Sequence, residues 1–213
     1  MTASQRASGR LSRKVAEPWP LDRVAALLAA RERRILDLPN ARRAAVLVGV
    51  TLDNRPRVLY TVRTVSLTTH AGQVSFPGGS LEAGETLTQA ALREAWEEVG
   101  VEPRGVRLLG LLDDVWTPTG FHVTPVVAAL PPVFNIKPSA GEVAEVLLVP
   151  IDELQGIEIA WEERRVPTAE EYGLSVVRRV PHMPWQHVNI WGMTGLVTVN
   201  LLEVWRLSAT PAP

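Results

Sequence analysis

Glu94, Glu97 and Glu98 stand at positions i, i+3 and i+4 of one short segment. On a helix that spacing gathers three carboxylates on one face. They repel one another unless a cation sits among them, and an all-oxygen donor set suits a hard cation such as Mg²⁺ or Mn²⁺. Glu82 and Glu85 add two carboxylates just upstream, and Gly78, Gly79 and Gly84 allow the backbone to approach a ligand closely. Arg93 lies four residues before Glu97 and can pair with a neighbour such as Glu85, holding the loop against the helix. A metal held there would polarise a phosphoryl oxygen and activate water. An acidic stripe is more often a plain solvated face, so spacing alone does not establish an enzyme.

The positioning elements are legible around this segment. Thr86–Val99 reads as a helix whose apolar stripe is Leu92, Ala95, Trp96 and Val99, stopped by Gly100. Residues 70–84 read as a glycine-rich loop containing Phe76-Pro77-Gly78-Gly79. Strands are predicted at 44–52, 57–62, 106–112, 123–130 and 143–150, with turn chemistry at Asp53-Asn54-Arg55-Pro56 and a short helix at 151–156. Residues 21–38 read as a helix that Pro39 ends. Residues 157–189, with Pro167, Pro181 and Pro184, read as irregular, and 190–205 as a closing helix. The pattern predicts an α/β fold, a mixed sheet with helices on its faces. A loose tail at 1–19, one domain at 20–207 and a tail at 208–213 complete the expected organisation.

Composition narrows the classes. The chain has 213 residues, of which 46% are hydrophobic and 21% charged. A chain of this length buries roughly 70% of its unfolded surface, so a packed core is expected. Lysine plus arginine is 22 against 23 acidic residues, a formal charge of -1, unlike a binder that neutralises nucleic-acid phosphates. There is no cysteine, which removes disulfides, zinc-thiolate sites and thiol chemistry. No apolar run approaches the roughly 18 residues of a spanning helix, and the first residues lack a signal-peptide core, so a soluble cytoplasmic protein without membrane partners is expected. The helix at 21–38 and the apolar C-terminal segment are expected to pack on the domain or against a second subunit in a homodimer.

Gly79, Glu85 and Arg93-Glu94-Ala95-Trp96-Glu97-Glu98-Val99-Gly100-Val101, in strict spacing over 23 residues, resemble the Nudix box. Every glycine, glutamate and arginine of that pattern is present, and Ala95 replaces a bulkier aliphatic. The resemblance implies an α/β/α sandwich around a mixed sheet and metal-dependent cleavage of diphosphates linked to another moiety. It implies Glu94, Glu97 and Glu98 as Mg²⁺ or Mn²⁺ ligands, with the Gly79 carbonyl as a further candidate. Arg93 and Glu85 would orient and support the site.

Leu59-Tyr60-Thr61-Val62-Arg63 followed by Gly72-Gln73-Val74-Ser75-Phe76-Pro77-Gly78-Gly79 is similar to the signature of the coenzyme A pyrophosphatase branch. Stretches at 119–125, 141–146 and 190–195 are similar too. Where that signature carries Arg, this chain has Thr68. The implied reaction is hydrolysis of CoA or its thioesters to (acyl-)4'-phosphopantetheine and adenosine 3',5'-bisphosphate. Arg63 and His70 are candidate anion contacts, and Glu142 a candidate for water positioning or a further metal. Phe76 and Phe121, with Trp116 and Trp185, are candidates to stack an adenine. Two other functions stay open: a Nudix enzyme for ADP-ribose, another nucleoside diphosphate derivative or a nucleoside triphosphate, and a nucleotide-binding regulator without turnover.

Overall fold

A computed structural model describes residues 21–51, 53–64, 72–131 and 134–209. Thr68, His70, the predicted tail at 1–19 and residues 210–213 lie outside them.

The core is a mixed sheet. Strands β1 (Arg42–Val50) and β2 (Arg57–Arg63) are followed by the two short strands β3 (Val74–Ser75) and β4 (Gly78–Ser80). After helix α2 (Leu87–Val99) come β5 (Arg107–Leu111), β6 (Val115–Trp116), β7 (Phe121–Ala129) and β8 (Val143–Pro150). β1 runs parallel to β7 in full register, and antiparallel to β4 over Ala44–Val46. Among the described residues β2 pairs with β1 only at Val50 and Val58, and beyond that pairs antiparallel with β8 and β3. The sheet therefore splits open beside β4.

Side-chain alternation along β1 explains the layers. Val46, Val48 and Val50 point into a core shared with α1 (Leu21–Ala30) and α4 (Gly192–Ala209). Ala45 and Leu47 point the other way, onto Ala90, Ala91, Ala95 and Val99 of α2. Helices thus cover both faces, the α/β/α arrangement the resemblance implies. Leu21, Val24 and Leu28 of α1 and Val197, Leu201, Leu202, Val204 and Trp205 of α4 are buried on the chain's own sheet, while Leu207 is exposed. No helix among the described residues is long and apolar enough to cross a membrane.

Three expectations change. The first helix ends at Ala30, not Leu38. Beyond it Arg31 pairs with Asp113 and Arg33 with Asp114, while the Arg34 and Leu36 N–H groups donate to the same two carboxylates. Four bonds to buried or half-buried aspartates outweigh the helical bonds a continued helix would make. Residues 157–189 are not irregular. After the short helix α3 (Ile151–Gly156), strands β9 (Ala160–Arg165), β10 (Val177–Trp185) and β11 (Val188–Trp191) form a second antiparallel sheet. β9 pairs with Val177–His182 and β11 with His182–Trp185, so Pro181 and Pro184 each sit where β10 has one neighbour only. A missing N–H is tolerated on such an edge. Finally, Ile190 and Trp191 belong to β11, and α4 runs on to include Ser208 and Ala209.

Candidate active site

Helix α2 and strand β4 build the site. Thr86 caps the helix: its Oγ1 accepts from the Gln89 N–H, and Gln89 Oε1 accepts from the Thr86 N–H at 2.9 Å. Such a cap contributes about 1 kcal/mol. Gly100 ends the helix with φ 74°, a left-handed conformation that favours glycine. Past it, the Lys137 and Ser139 N–H groups donate to the carbonyls of Val99 and Glu98. That tie brings the start of β8, with Glu142, beside the helix. The Thr64 N–H donates to the Glu142 carbonyl at 3.0 Å, which draws in the end of β2 and Arg63.

The stripe of α2 is rotated from its predicted position. Trp96 is exposed, whereas Glu98 is 5% exposed, on the side that faces the sheet. Small residues at 90, 91 and 95 let α2 lie close to β1, so a bulkier side chain at Ala95 would meet a filled core.

Close approach defines the centre of the site. Gly79 lies against Glu94: a Cβ on Gly79 would sit 2.2 Å from Glu94 Oε1. The neighbouring Gly78 N–H donates to the Glu98 carboxylate. Burial, followed by the charges of Glu94 and Glu142, pushes the Glu98 carboxyl up to about 7, against the opposing pull of Arg63 and the Gly78 N–H. Burial also raises the Glu94 carboxyl, with Glu97 and Glu142 adding to the rise and Arg93 opposing it. The charges of Glu94 and Glu142 thus act on Glu98, with Arg63 as the opposing cation. The Arg63 Nε–H is buried without an acceptor.

Arg93 clamps the outer side. Its guanidinium donates to both Glu85 oxygens at 3.0 and 3.1 Å, to Glu94 at 2.9 Å, to Glu97 at 3.2 Å and to the Ser80 carbonyl at 3.1 Å. Glu85, held by Arg93 and by the Glu82 N–H, is pulled below the usual carboxylate range. One planar fork thus joins β4, the loop and the helix, a geometry a lysine cannot reproduce.

The donor set is chemically right for a hard divalent ion: oxygen only, with two partly buried carboxylates raised by burial and, after it, by neighbouring negative charge that a cation would relieve. The residues that could hold such an ion are Glu94, Glu98 and the Gly79 backbone. Glu97 is exposed, and its carboxylate faces Arg93. Among the described residues no three acidic or imidazole side chains are drawn together as a ready cage.

The stacking candidates have partners of their own. Phe76 is buried in the core against Tyr60, ring centroids 4.7 Å apart, so it presents no face to a base. Trp116 is likewise buried, against Tyr172. Phe121 is half-buried, with Arg42 4.0 Å over its ring. The Trp185 indole N–H donates to Glu153 at 2.7 Å.

Sequence reasoning passed over Asp114. Its side chain is 1% exposed and collects Arg33, His122 Nε2 at 2.8 Å, Thr124 Oγ1 at 2.7 Å and the Leu36 N–H. Burial raises its pKa, but those donors outweigh it and hold the carboxyl below its ordinary value. No local signal marks this hub, because its partners come from two separate stretches of chain, residues 33–36 and 122–124.

A mixed sheet between helices, with the glutamates of one helix beside a glycine strand, defines an α/β/α sandwich. The NUDIX domain family description matches residues 41–172, more than half of the chain. The chain is 40% identical over 167 residues to the Nudix hydrolase NudL of Citrobacter koseri, covering 78% of this chain and 84% of that one. It is 39% identical over 163 residues to NudL of Salmonella paratyphi B, covering 76% and 82%. Among solved structures, the Nudix hydrolase RenU of M. smegmatis aligns with a TM-score of 0.46 at 24% identity, over 55% of this chain and 74% of that one. The chain belongs to the Nudix hydrolase family.

Proposed function

We propose that this protein hydrolyses the diphosphate linkage of a nucleoside diphosphate derivative, using a divalent metal held by Glu94, Glu98 and the Gly79 backbone. The observation that carries the reading is the close packing of Gly79 on Glu94 beside a buried, repelled Glu98. Mg²⁺ or Mn²⁺ bound there supplies Lewis-acid polarisation of a phosphoryl oxygen and a more acidic water. Arg93 keeps Glu94 and Glu85 in place. Arg63, with its buried unmet N–H, is positioned to receive a phosphate oxygen. Glu142, exposed beside Glu94 and Glu98, makes no side-chain hydrogen bond among the described residues and is suited to accept the proton of the attacking water. Water oxygen bonds to one phosphorus, the bridging P–O bond breaks, and the departing phosphate carries away the electron pair.

Within that class, CoA and its thioesters are the first substrates to test, because residues 59–63 and 72–79 are similar to the coenzyme A pyrophosphatase signature. ADP-ribose and other nucleoside diphosphate derivatives remain the broader reading, which Thr68 in place of the signature arginine supports. Incubation with CoA, acetyl-CoA, ADP-ribose and a nucleoside triphosphate in Mg²⁺ or Mn²⁺, with products identified by mass, tests both. Adenosine 3',5'-bisphosphate as the leading product supports the CoA reading. AMP from ADP-ribose with CoA intact supports the broader one. Tight binding of every compound without any product would turn the reading toward a regulator.

A further inference from the structure

A cavity of about 360 Å³ lies on the α4 side of the sheet, the face opposite α2. The chain leaving α1, strand β6, the start of β10 and α4 enclose it, and none of its lining residues belongs to the carboxylate site. Leu36, Val115, Leu174 and Val197 supply apolar wall.

Its polar side carries aspartates that are already paired and, among the described residues, guanidiniums that are not. Asp113 and Asp114 border the cavity, but Arg31 and Arg33 already neutralise them, and His122, Thr124 and two backbone N–H groups use their oxygens. Arg34 and Arg178 also line it, and neither has a carboxylate partner among the described residues. Arg178 gives one N–H to the Trp116 carbonyl at 2.8 Å and lies 5.5 Å over the Trp116 ring. Burial, then the nearby charge of Arg34, lowers the Arg178 pKa, so the two guanidiniums are close enough to repel. Trp116, in the same wall, keeps a buried indole N–H with no acceptor. Two like charges on one half-apolar cavity are costly together, and an anion between them relieves the repulsion.

We propose that this cavity is a second binding site, for a phosphate or carboxylate carried on a small apolar or aromatic body. Its volume falls within the range of small-molecule sites, roughly 300–1,000 Å³. The site is independent of hydrolysis, since it shares no residue with the α2 centre.

The test is calorimetric titration of the full chain, without divalent metal, using phenyl phosphate, benzoate and inorganic phosphate. Phenyl phosphate or benzoate should bind with a Kd below about 1 mM, at least about tenfold tighter than inorganic phosphate. Arg34→Glu, at an exposed position, should weaken that binding at least about tenfold with the melting temperature unchanged. Arg34→Gln, which keeps much of the stem, should give a smaller loss and serves if the charge reversal unfolds the chain. Glu98→Gln should bind like the wild type. No saturation by either aromatic anion, equal affinity for inorganic phosphate, indifference to both Arg34 variants, or loss of binding in Glu98→Gln would each overturn the proposal.

Discussion

Gly79 and Glu94 occupy space that cannot hold one more carbon: a Cβ at position 79 would lie 2.2 Å from a Glu94 carboxylate oxygen. The obstructing atom is the end of a flexible side chain, so the chain can yield by moving Glu94. Gly79→Ala should therefore leave stability nearly unchanged while lowering kcat about a hundredfold, the usual effect of misplacing a working group by an ångström. Gly78→Ala differs, because its Cβ would meet the Ala45 carbonyl oxygen at 2.4 Å and the Val46 Cα at 2.6 Å. Rigid strand backbone cannot swing away, so that variant should lose about 1–3 kcal/mol or more in urea unfolding. Equal melting losses in the two variants would contradict the distinction.

Arg93 bonds to Glu85, Glu94, Glu97 and the Ser80 carbonyl at once. Arg93→Lys keeps the charge but not the fork, and should still lose about tenfold or more in kcat/KM. Arg93→Ala should lose more, and neither should change which diphosphate is preferred. Steady-state kinetics on two substrates reads this directly. A lysine variant with full activity would show that charge alone suffices.

Glu98 links pH to stability. Its carboxyl is raised from 4.5 to about 7 in the folded chain, so between those values the folded state holds more proton than the unfolded one. In metal-free protein, the stability contributed by this group is fully present below about pH 4.5, falls as pH rises through about 7, and then levels off. Glu98→Gln should flatten that slope, and saturating Mg²⁺ should offset it by neutralising the repulsion. Urea midpoints at about pH 5 and about pH 8, wild type against variant, measure the difference. A wild-type slope no steeper than the variant's would remove the burial argument.

Much of this site was legible because its signals are local. The Thr86 and Gln89 cap, the Gly100 stop and the glutamate spacing all fall within fifteen residues, and the resemblance rests on the same stretch. The rest depends on distant partners. Nothing near residue 30 says that the helix must end there, since Asp113 and Asp114 lie some eighty residues on. Pro181 and Pro184 read as strand breakers, yet β10 offers each an edge. Glu98 reads as one of three equivalent surface carboxylates, and only the close docking of α2 on the sheet makes it the buried member. Phe76 reads as a stacking ring because it precedes the glycines, whereas its side chain fills the opposite core beside Tyr60.

Asp114 holds residues 31–36 onto the sheet through Arg33 and the Leu36 N–H. Asp114→Ala would leave Arg33 and His122 without their carboxylate and should cost about 3–5 kcal/mol. Activity per folded molecule should persist, because no residue of the α2 site touches this hub. Urea unfolding paired with active-site-normalised rates checks both halves. A stable variant with lost activity would mean that the hub serves the reaction.

The most direct measurement of the central claim is the Mg²⁺-dependent hydrolysis rate of the best diphosphate substrate by wild type and by Glu98→Gln, followed by mass detection of products. The wild type should cleave the diphosphate only with Mg²⁺ or Mn²⁺, and the variant should be slower by about a thousandfold at an equal melting temperature. Undiminished turnover in Glu98→Gln, or wild-type turnover untouched by removal of divalent metal, would contradict the account.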